Sequence, residues 1–242
     1  PAPPATPASG RRIGLFSGCV GDIAERAVLH DAATLLRAAG LSVVIPAAQG
    51  CCGALQQHGG LPSAAASRVQ RNAEAFADCD QVLALATGCG AALRDLGGAA
   101  LGGKTADLCT ALAAALDQQA VAFAPSTLRV GIHTACTQAH VFGAGQAVRR
   151  LLQRIPGITL VDLAPESGCC GAAGTAFVRQ PGQAAALLAP KLWAAQGVDV
   201  VVSANIGCSL HLLAGLRREG RAVQVLHPVS LLAQALAARA PG

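Results

Sequence analysis

Eight of the ten cysteines form two copies of one frame, in which a single cysteine, an adjacent pair and another single cysteine follow one another. The internal spacings are 32, 1 and 37 residues in the first copy and 33, 1 and 38 in the second, and matched cysteines lie 117–119 positions apart. A repeat of this length indicates two similar structural units. The candidate ligands are Cys19, Cys51, Cys52 and Cys89 in the first frame and Cys136, Cys169, Cys170 and Cys208 in the second.

Four thiols per unit is the number that holds one iron–sulfur cluster or one zinc ion. Zinc sites usually draw cysteines from short Cys-x(2–4)-Cys pairs, whereas these frames span more than 30 residues on each side of an adjacent pair. We therefore predict iron–sulfur clusters, with zinc as the alternative. A disulfide framework is disfavoured, because no secretory signal is visible and the chain is long enough for an apolar core.

The other thiols and imidazoles have weaker claims to a site. Cys79 and Cys109 have no cysteine counterpart one repeat later, so we leave both outside the ligand set as buried thiols. Several histidines lie close to frame cysteines and are candidates for hydrogen bonding to a cluster or substrate, although packing or surface roles are the simpler interpretation: His58, His133, His140 and His211.

The elements that position the cysteines alternate between strands and helices. In the first unit the pattern predicts strands at 13–17, 41–45 and 81–86 and helices at 23–39, 62–77 and 105–116. In the second unit it predicts strands at 129–132, 158–163 and 198–203, a short strand at 222–226, and helices at 140–154, 181–195 and 228–238. Pro190 is expected to bend or split its helix.

This alternation predicts an α/β fold with parallel sheets and right-handed crossovers. We expect two tandem, pseudo-symmetric Rossmann-like lobes, each a small parallel sheet flanked by helices. The frame cysteines follow the strands, and ligands of open α/β sheets bind at the carboxyl ends of strands. The four thiols of each frame should therefore meet in one crevice per lobe. The expected divisions are a linker or flexible N-terminus at 1–11, a first lobe at 12–120 and a second lobe at 121–242.

Composition excludes several classes of function. The net charge of +5 carries no long basic block, and five Phe, one Trp and no Tyr provide no platform for stacking bases, so nucleic-acid binding is not expected. No apolar run is long enough for a membrane span. No Gly-x-Gly-x-x-Gly follows a strand, so no dinucleotide or flavin site is expected in this chain. The absence of methionine and the Pro/Ala/Ser-rich start favour a piece of a longer chain with another domain upstream.

These motifs resemble the cysteine-rich (CCG) domain family, which includes a heterodisulfide reductase component, lactate utilisation protein A and the glycolate oxidase iron–sulfur subunit. The resemblance covers residues 12 to about 236. It rests on Gly50-Cys51-Cys52-Gly53-Ala54-Leu55, Thr87-Gly88-Cys89-Gly90, Cys169-Cys170-Gly171-Ala172 and Ala204-Asn205-Ile206-Gly207-Cys208, with Gly18-Cys19-Val20 at the start. The residues of these motifs are most similar to those of the glycolate oxidase branch.

The resemblance implies two [4Fe-4S] clusters, one per lobe, and electron transfer from a flavoprotein dehydrogenase subunit that oxidises a glycolate- or lactate-type 2-hydroxy acid. It also implies a ferredoxin-like domain upstream. Ten cysteines without a secretory signal indicate a reducing compartment, so we expect a cytoplasmic location, with placement at the inner face of the membrane through partners as a further option. The chain would be the non-flavin component of such an oxidoreductase.

Two departures from the family pattern bear on the chemistry. Heterodisulfide reductase-type members end each frame with Cys-x-x-Cys, but Ala92 and His211 occupy the place of the fifth thiol here. A second departure is His133-Thr134-Ala135-Cys136, where the family often has His-Asp-Pro-Cys. The alternatives left open are a heterodisulfide-reductase-like enzyme whose cluster cleaves a disulfide, and a zinc-bound assembly module.

Overall fold

The fold is an α/β arrangement of two four-stranded, all-parallel sheets flanked by helices, as the sequence predicts. It is seen in a computed structural model that describes residues 10–237. The predicted linker at 1–11 and the predicted end of the last helix at residue 238 lie largely outside these residues. The strand order is β2-β1-β3-β4 in the first sheet and β6-β5-β7-β8 in the second, so one topology occurs twice.

The first half of the chain contains β1 to β4 and α1 to α7. The bounds are β1 Arg12–Phe16, α1 Gly18–Ala24, α2 Arg26–Ala38, β2 Ser42–Val44, α3 Ala54–His58, α4 Pro62–Ala75, β3 Gln81–Ala84, α5 Thr87–Leu96, α6 Gly98–Leu101, β4 Thr105–Asp107 and α7 Leu108–Leu116. A 3₁₀ turn, Gly102–Lys104, precedes β4.

The second half repeats the sheet. The bounds are β5 Arg129–His133, α8 Cys136–His140, α9 Ala147–Leu152, β6 Thr159–Asp162, α10 Ala176–Arg179, α11 Pro181–Ala194, β7 Val200–Ser203, α12 Ile206–Arg218, β8 Gln224–Leu226 and α13 Pro228–Gln234. A 3₁₀ turn, Pro165–Ser167, follows β6.

Two predicted elements were wrong in detail, and one alternative for a third does not hold. The segment predicted as a helix from Thr105 begins instead as strand β4, which pairs with β3, and the helix starts at Leu108. Within the predicted helix at 140–154 only α9, Ala147–Leu152, lies fully inside the range, since α8 ends at His140 and Gly143 adopts a left-handed φ of 63° between the two helices. Helix α11 continues through Pro190, which lies on its exposed side, so the alternative of a split helix does not hold.

An aspartate fixes the start of the central strand in both sheets. The backbone N–H of Arg12 donates to the Asp80 carboxylate at 2.6 Å, and the N–H of Asp80 donates back to the Arg12 carbonyl at 2.9 Å. Arg129 and Asp199 make the same reciprocal pair at 2.7 and 2.8 Å. These bonds satisfy groups at the strand starts and hold β1 against β3 and β5 against β7 in matching register.

The two halves share a hydrophobic core. Alternate residues of both sheets, such as Leu15 and Leu83 in the first and Ile132 and Val202 in the second, belong to one buried cluster. Helices α2 and α7 of the first half pack there against α13 and α9 of the second. The opposite face of each sheet has a smaller cluster of its own. Each half therefore has a cluster of its own in addition to the core that the two halves share.

His227 links α13 to the first sheet in the neutral form. Its Nδ1 accepts from the backbone N–H of Val229 at 3.2 Å, and its Nε2 therefore donates to the carbonyl of Leu85 at 3.0 Å. Complete burial lowers the pKa of His227 to about 4, and the bond to Leu85 only partly offsets this. Protonation would place a charge in the core and remove the acceptor that Nδ1 supplies.

Because the folded pKa lies below the ordinary value of 6.5, the stability from neutral His227 is full above pH 6.5 and is lost as the pH falls towards 4. We expect this group to cost about 3 kcal/mol of unfolding free energy across that interval. Urea unfolding of wild type and His227→Gln between pH 7 and 4 measures the difference. The variant should show the shallower decline, and exposed His140→Gln should match wild type; equal slopes in all three would contradict the assignment.

Candidate metal centres

The four cysteines of the first frame meet at the carboxyl edge of the first sheet. Cys19 lies in α1, directly after β1, and Cys89 lies in the first turn of α5, after β3. Cys51 and Cys52 lie in the loop between β2 and α3, with residues 45–50 separating them from the strand. The thiols interact: Cys51 hydrogen-bonds to Cys19 and Cys52, and Cys52 hydrogen-bonds to Cys89.

The second frame forms the same arrangement on the second sheet. Cys136 begins α8 after β5, Cys208 lies in α12 after β7, and Cys169 and Cys170 occupy the loop after β6. Cys136 interacts with Cys169, and Cys170 hydrogen-bonds to Cys208. The structure therefore brings together the thiols of each predicted set. Sequence reasoning was inexact on one point, since the adjacent pairs follow their strands after a loop and not directly.

One thiol of each set is poised as a thiolate. A hydrogen bond from Cys89 lowers the pKa of Cys52, and a hydrogen bond from Cys208 lowers the pKa of Cys170. The same bonds, together with burial, raise the pKa of Cys89 and of Cys208. Because only thiolates bind metals, a metal at either site must displace the remaining thiol protons.

A glycine after each cysteine pair shapes the loop. Gly53 and Gly171 have left-handed φ values of 83° and 87°. Their backbone N–H groups donate to the sulfurs of Cys51 at 3.5 Å and Cys169 at 3.3 Å. A Cβ on Gly171 would lie 2.5 Å from the carbonyl oxygen of Ala184, so the loop can pack against α11 only without a side chain there.

Burial differs among the sulfurs. Cys19 is exposed, whereas Cys52, Cys170 and Cys208 are 5%, 1% and 6% exposed. The first set therefore has a thiol at the surface, and the second set lies deeper on this measure. A cleft of about 540 Å³ opens beside the second cysteine loop, lined by His58 and by residues 173–176, 179 and 180.

The histidines flagged from sequence separate into different roles. His133 is 1% exposed, its Nδ1 is 3.0 Å from Ser203 Oγ, and one of its ring nitrogens lies within 4.8 Å of the sulfurs of Cys170 and Cys208. His140 and His58 are exposed. His211 Nε2 lies 3.3 Å from the carbonyl of Ala184, against α11. Within the described part of the chain, His133 is thus the histidine of these four that lies next to a cysteine set.

Cys79 and Cys109 lie in the cores. Cys79 packs beside Phe76 and Gly14, where burial raises its pKa, and Cys109 is fully buried in the shared core on α7. Three residues near the second thiols, Lys191, Ser203 and Asn205, were missed as functional candidates. A position-by-position comparison of the two repeats would have flagged them, because their counterparts are Asn72, Ala84 and Ala86.

The profile of the cysteine-rich domain family (CCG) matches this chain twice, at residues 13–94 and 130–213. The chain belongs to this family. Each match begins at the central strand of one sheet and extends past the last cysteine of one frame. Within the described residues, no helix has the length and apolar character needed to cross a membrane.

Three curated relatives illustrate the likeness. The "Probable glycolate oxidase iron-sulfur subunit" of Bacillus subtilis is 30% identical over 93% of this chain and 55% of its own length. The "Glycolate oxidase iron-sulfur subunit" of Escherichia coli is 27% identical over 93% of this chain and 58% of its own length. "Lactate utilization protein A" of Shouchella clausii is 26% identical over 91% of this chain and 98% of its own length.

The chain therefore spans little more than half the length of the two glycolate oxidase subunits. Among solved structures, Picrophilus torridus aspartate racemase matches 93% of this chain and 92% of its own with a TM-score of 0.37 at 11% identity. A likeness at that score carries no argument about fold or activity.

The close packing at Gly171 leads to a testable prediction. Gly171→Ala combines a left-handed φ with a clash against the α11 backbone, and we expect it to cost about 2–4 kcal/mol of unfolding free energy. Gly174→Ala, in the same loop, has a φ of 54° but nothing within 4 Å of the new Cβ, so it should cost about 1 kcal/mol. Chemical unfolding of both variants measures this. Equal costs would show that the contact with Ala184 does not constrain the loop.

Proposed function

We propose that this chain is an iron–sulfur electron-transfer component of a flavin-linked dehydrogenase that oxidises a small 2-hydroxy acid of the glycolate or lactate type. The observation that carries the proposal is the convergence of two matched four-cysteine sets at the carboxyl edges of two sheets. The names of the relatives support the iron–sulfur character and the substrate class. The proposed lobes are residues 12–120 and 121–242, with 1–11 as a linker.

The residues present fit a cluster in each half. Each set offers four sulfur donors, the ligand type that iron–sulfur clusters take, and one sulfur of each adjacent pair receives a backbone N–H from a glycine. The buried His133 Nε2 has no nitrogen or oxygen partner among the described residues, and the ring lies against the sulfurs of Cys170 and Cys208, which suits a site that holds a bound group. We assign [4Fe-4S] clusters to Cys19, Cys51, Cys52 and Cys89 and to Cys136, Cys169, Cys170 and Cys208.

A bound cluster would supply one-electron redox chemistry, and the protein would supply ligands, burial and hydrogen bonds that tune its potential. The thiolate tendency of Cys52 and Cys170 prepares each set for ligation. In the first half, the glycine loop holds Cys51 and Cys52 next to Cys19 and Cys89. In the second half, it holds Cys169 and Cys170 next to Cys136 and Cys208.

The proposed partner is a flavoprotein dehydrogenase subunit, with a ferredoxin-like domain in the longer protein. Helices that carry or follow the cysteines expose apolar side chains, including Ile23 and Val20 on α1 beside exposed Cys19, Leu55 on α3 and Leu210 on α12. Exposed apolar side chains next to a redox ligand suit transient docking of a partner. We place the protein in the cytoplasm, where its thiols stay reduced.

Zinc in the second half is the second candidate. A ring nitrogen of His133 and the sulfurs of Cys170 and Cys208 lie within 4.8 Å of one another, close enough to bind one metal ion. A Cys/His set of this kind is typical of zinc. A zinc site there would make the second half an assembly module without redox activity.

Metal content after anaerobic purification tests the assignment. Wild type should carry about eight iron and eight acid-labile sulfide, that is about four of each per site. Cys19→Ser and Cys136→Ser should each lose about half of both, from different sites, because each removes one ligand from one set. Cys79→Ala, outside both sets, should keep the wild-type content.

Unchanged iron in Cys19→Ser or Cys136→Ser would contradict the ligand assignment. Stoichiometric zinc that persists in Cys19→Ser and disappears in Cys136→Ser would replace the second cluster with a zinc site. Electron paramagnetic resonance of the reduced protein distinguishes a cubane cluster from other cluster types.

A further inference from the structure

The two cysteine sites differ at three matched positions beside the sulfurs. In the first sheet, Phe16 pairs with Ala84 across β1 and β3, and in the second sheet His133 pairs with Ser203 across β5 and β7 at the same register. Two residues after the end of β3 the first half has Ala86, and two residues after the end of β7 the second half has Asn205. The apolar side chains of the first half thus correspond to side chains that can form hydrogen bonds in the second half. The matched pairs are Phe16 and His133, Ala84 and Ser203, and Ala86 and Asn205.

His133 is positioned to donate to the second set of sulfurs. Its Nδ1 is engaged with Ser203 Oγ at 3.0 Å, which leaves Nε2 buried and without a hydrogen-bond partner among the described residues. A ring nitrogen lies within 4.8 Å of both Cys170 and Cys208. If the Ser203 hydroxyl donates to Nδ1, the proton of neutral imidazole is on Nε2, where the sulfurs are the available acceptors.

Asn205 donates directly to a cysteine sulfur. Its Nδ2 lies 3.1 Å from Cys208 Sγ, and its Oδ1 accepts from the backbone N–H of Gly88 at 3.0 Å. A backbone N–H can only donate, so the amide oxygen must face Gly88 and the NH₂ group must face Cys208. Gly88 precedes Cys89, and Asn205 therefore spans the gap between the two sites.

A buried cation adds to the difference. Lys191 on α11 is 2% exposed, donates to the carbonyl of Ala164 and interacts electrostatically with Cys170, Glu166 and Cys169. The matched residue on α4 is the neutral Asn72, which bonds to Gly50 N–H and the Cys51 carbonyl, each at 2.9 Å. Both residues brace a cysteine loop, but only Lys191 brings positive charge.

Reduction adds negative charge to a cluster and its thiolates. Hydrogen-bond donors and a nearby cation stabilise that charge, most effectively in a buried site, and so raise the reduction potential. We propose that His133 and Asn205 set the reduction potential of the second site above that of the first, which makes the second site the preferred location of the electron. This rests on the proposed function; both are tuning residues and neither is a ligand.

The test is a redox titration of anaerobically purified protein, followed by electron paramagnetic resonance. Cys19→Ser and Cys136→Ser backgrounds isolate the second and the first site, respectively. The second site should have the higher midpoint potential. His133→Phe with Ser203→Ala, which copies the first half, and separately Asn205→Ala, should lower it enough to change the electron distribution at least tenfold, or about 59 mV for one electron.

Matched controls separate tuning from general disturbance. His140→Phe, at an exposed position, should leave both potentials unchanged, and His133→Gln, which keeps an N–H donor, should restore part of the loss. Iron and sulfide contents should stay at the wild-type level in every tuning variant, and the first-site potential should not move in His133→Phe with Ser203→Ala.

Several results would overturn the inference. One is a higher potential at the first site than at the second. Another is a second-site potential that is unchanged both in His133→Phe with Ser203→Ala and in Asn205→Ala. A third is loss of second-site iron in the His133 variant, which would make His133 a ligand. If wild type binds iron and sulfide but shows any of these, the inference fails and the proposed function stands. Absence of iron and sulfide from wild type contradicts the proposed function, and the inference with it.

Discussion

The structure depends on the register in which the central strand of each sheet pairs with its neighbour. With Phe16 opposite Ala84, the chain leaves both strands at the same edge, and the next residues carry Cys19 and Cys89. A slip of one residue would turn the alternate side chains to the other face and move one cysteine relative to the other. The reciprocal bonds between Arg12 and Asp80, repeated by Arg129 and Asp199, hold that register at the opposite ends of the strands.

The same edges of the two sheets also meet each other. The backbone N–H of Thr87 donates to the carbonyl of Ala204 at 3.0 Å, and the hydroxyls of Thr87 and Thr137 lie 2.8 Å apart. These contacts lie within two residues of Cys89 or Cys136 or four of Cys208. Together with the shared helical core, they fix the two cysteine sets relative to one another. The separation of the two sites therefore does not depend on a hinge, which suits the electron transfer proposed for them.

Much of the fold and both cysteine sets could be predicted from the sequence, and there are physical reasons why the remaining features could not. The duplicated spacing predicted both thiol sets, and buried apolar runs predicted β3 and β7. Strand β4 was missed because three residues, Thr105 to Asp107, form too short an edge strand to show alternation. The spacing of the cysteines does not show what surrounds their sulfurs. Asn205 lies in the motif that ends at Cys208, but its donation to the Cys208 sulfur depends on accepting a hydrogen bond from Gly88, 117 residues away.

The duplication separates what the fold requires from what each site can vary. The loop glycines Gly53 and Gly171 and the strand-start aspartates keep the same backbone roles in both halves, because a Cβ or a lost carboxylate there would displace the cysteines themselves. Phe16 and His133, in contrast, occupy one strand position with opposite polarity, and neither is needed for the backbone path. The two halves therefore present one arrangement of cysteines in two electrostatic environments. A second half that served only to hold the lobes together would need the glycine loop but not a buried imidazole, a buried ammonium and a half-buried amide around its sulfurs. Burying polar side chains costs free energy unless they are hydrogen-bonded or interact with charge, and under the proposed function the group of variable charge beside these three is the cluster that the thiolates would hold.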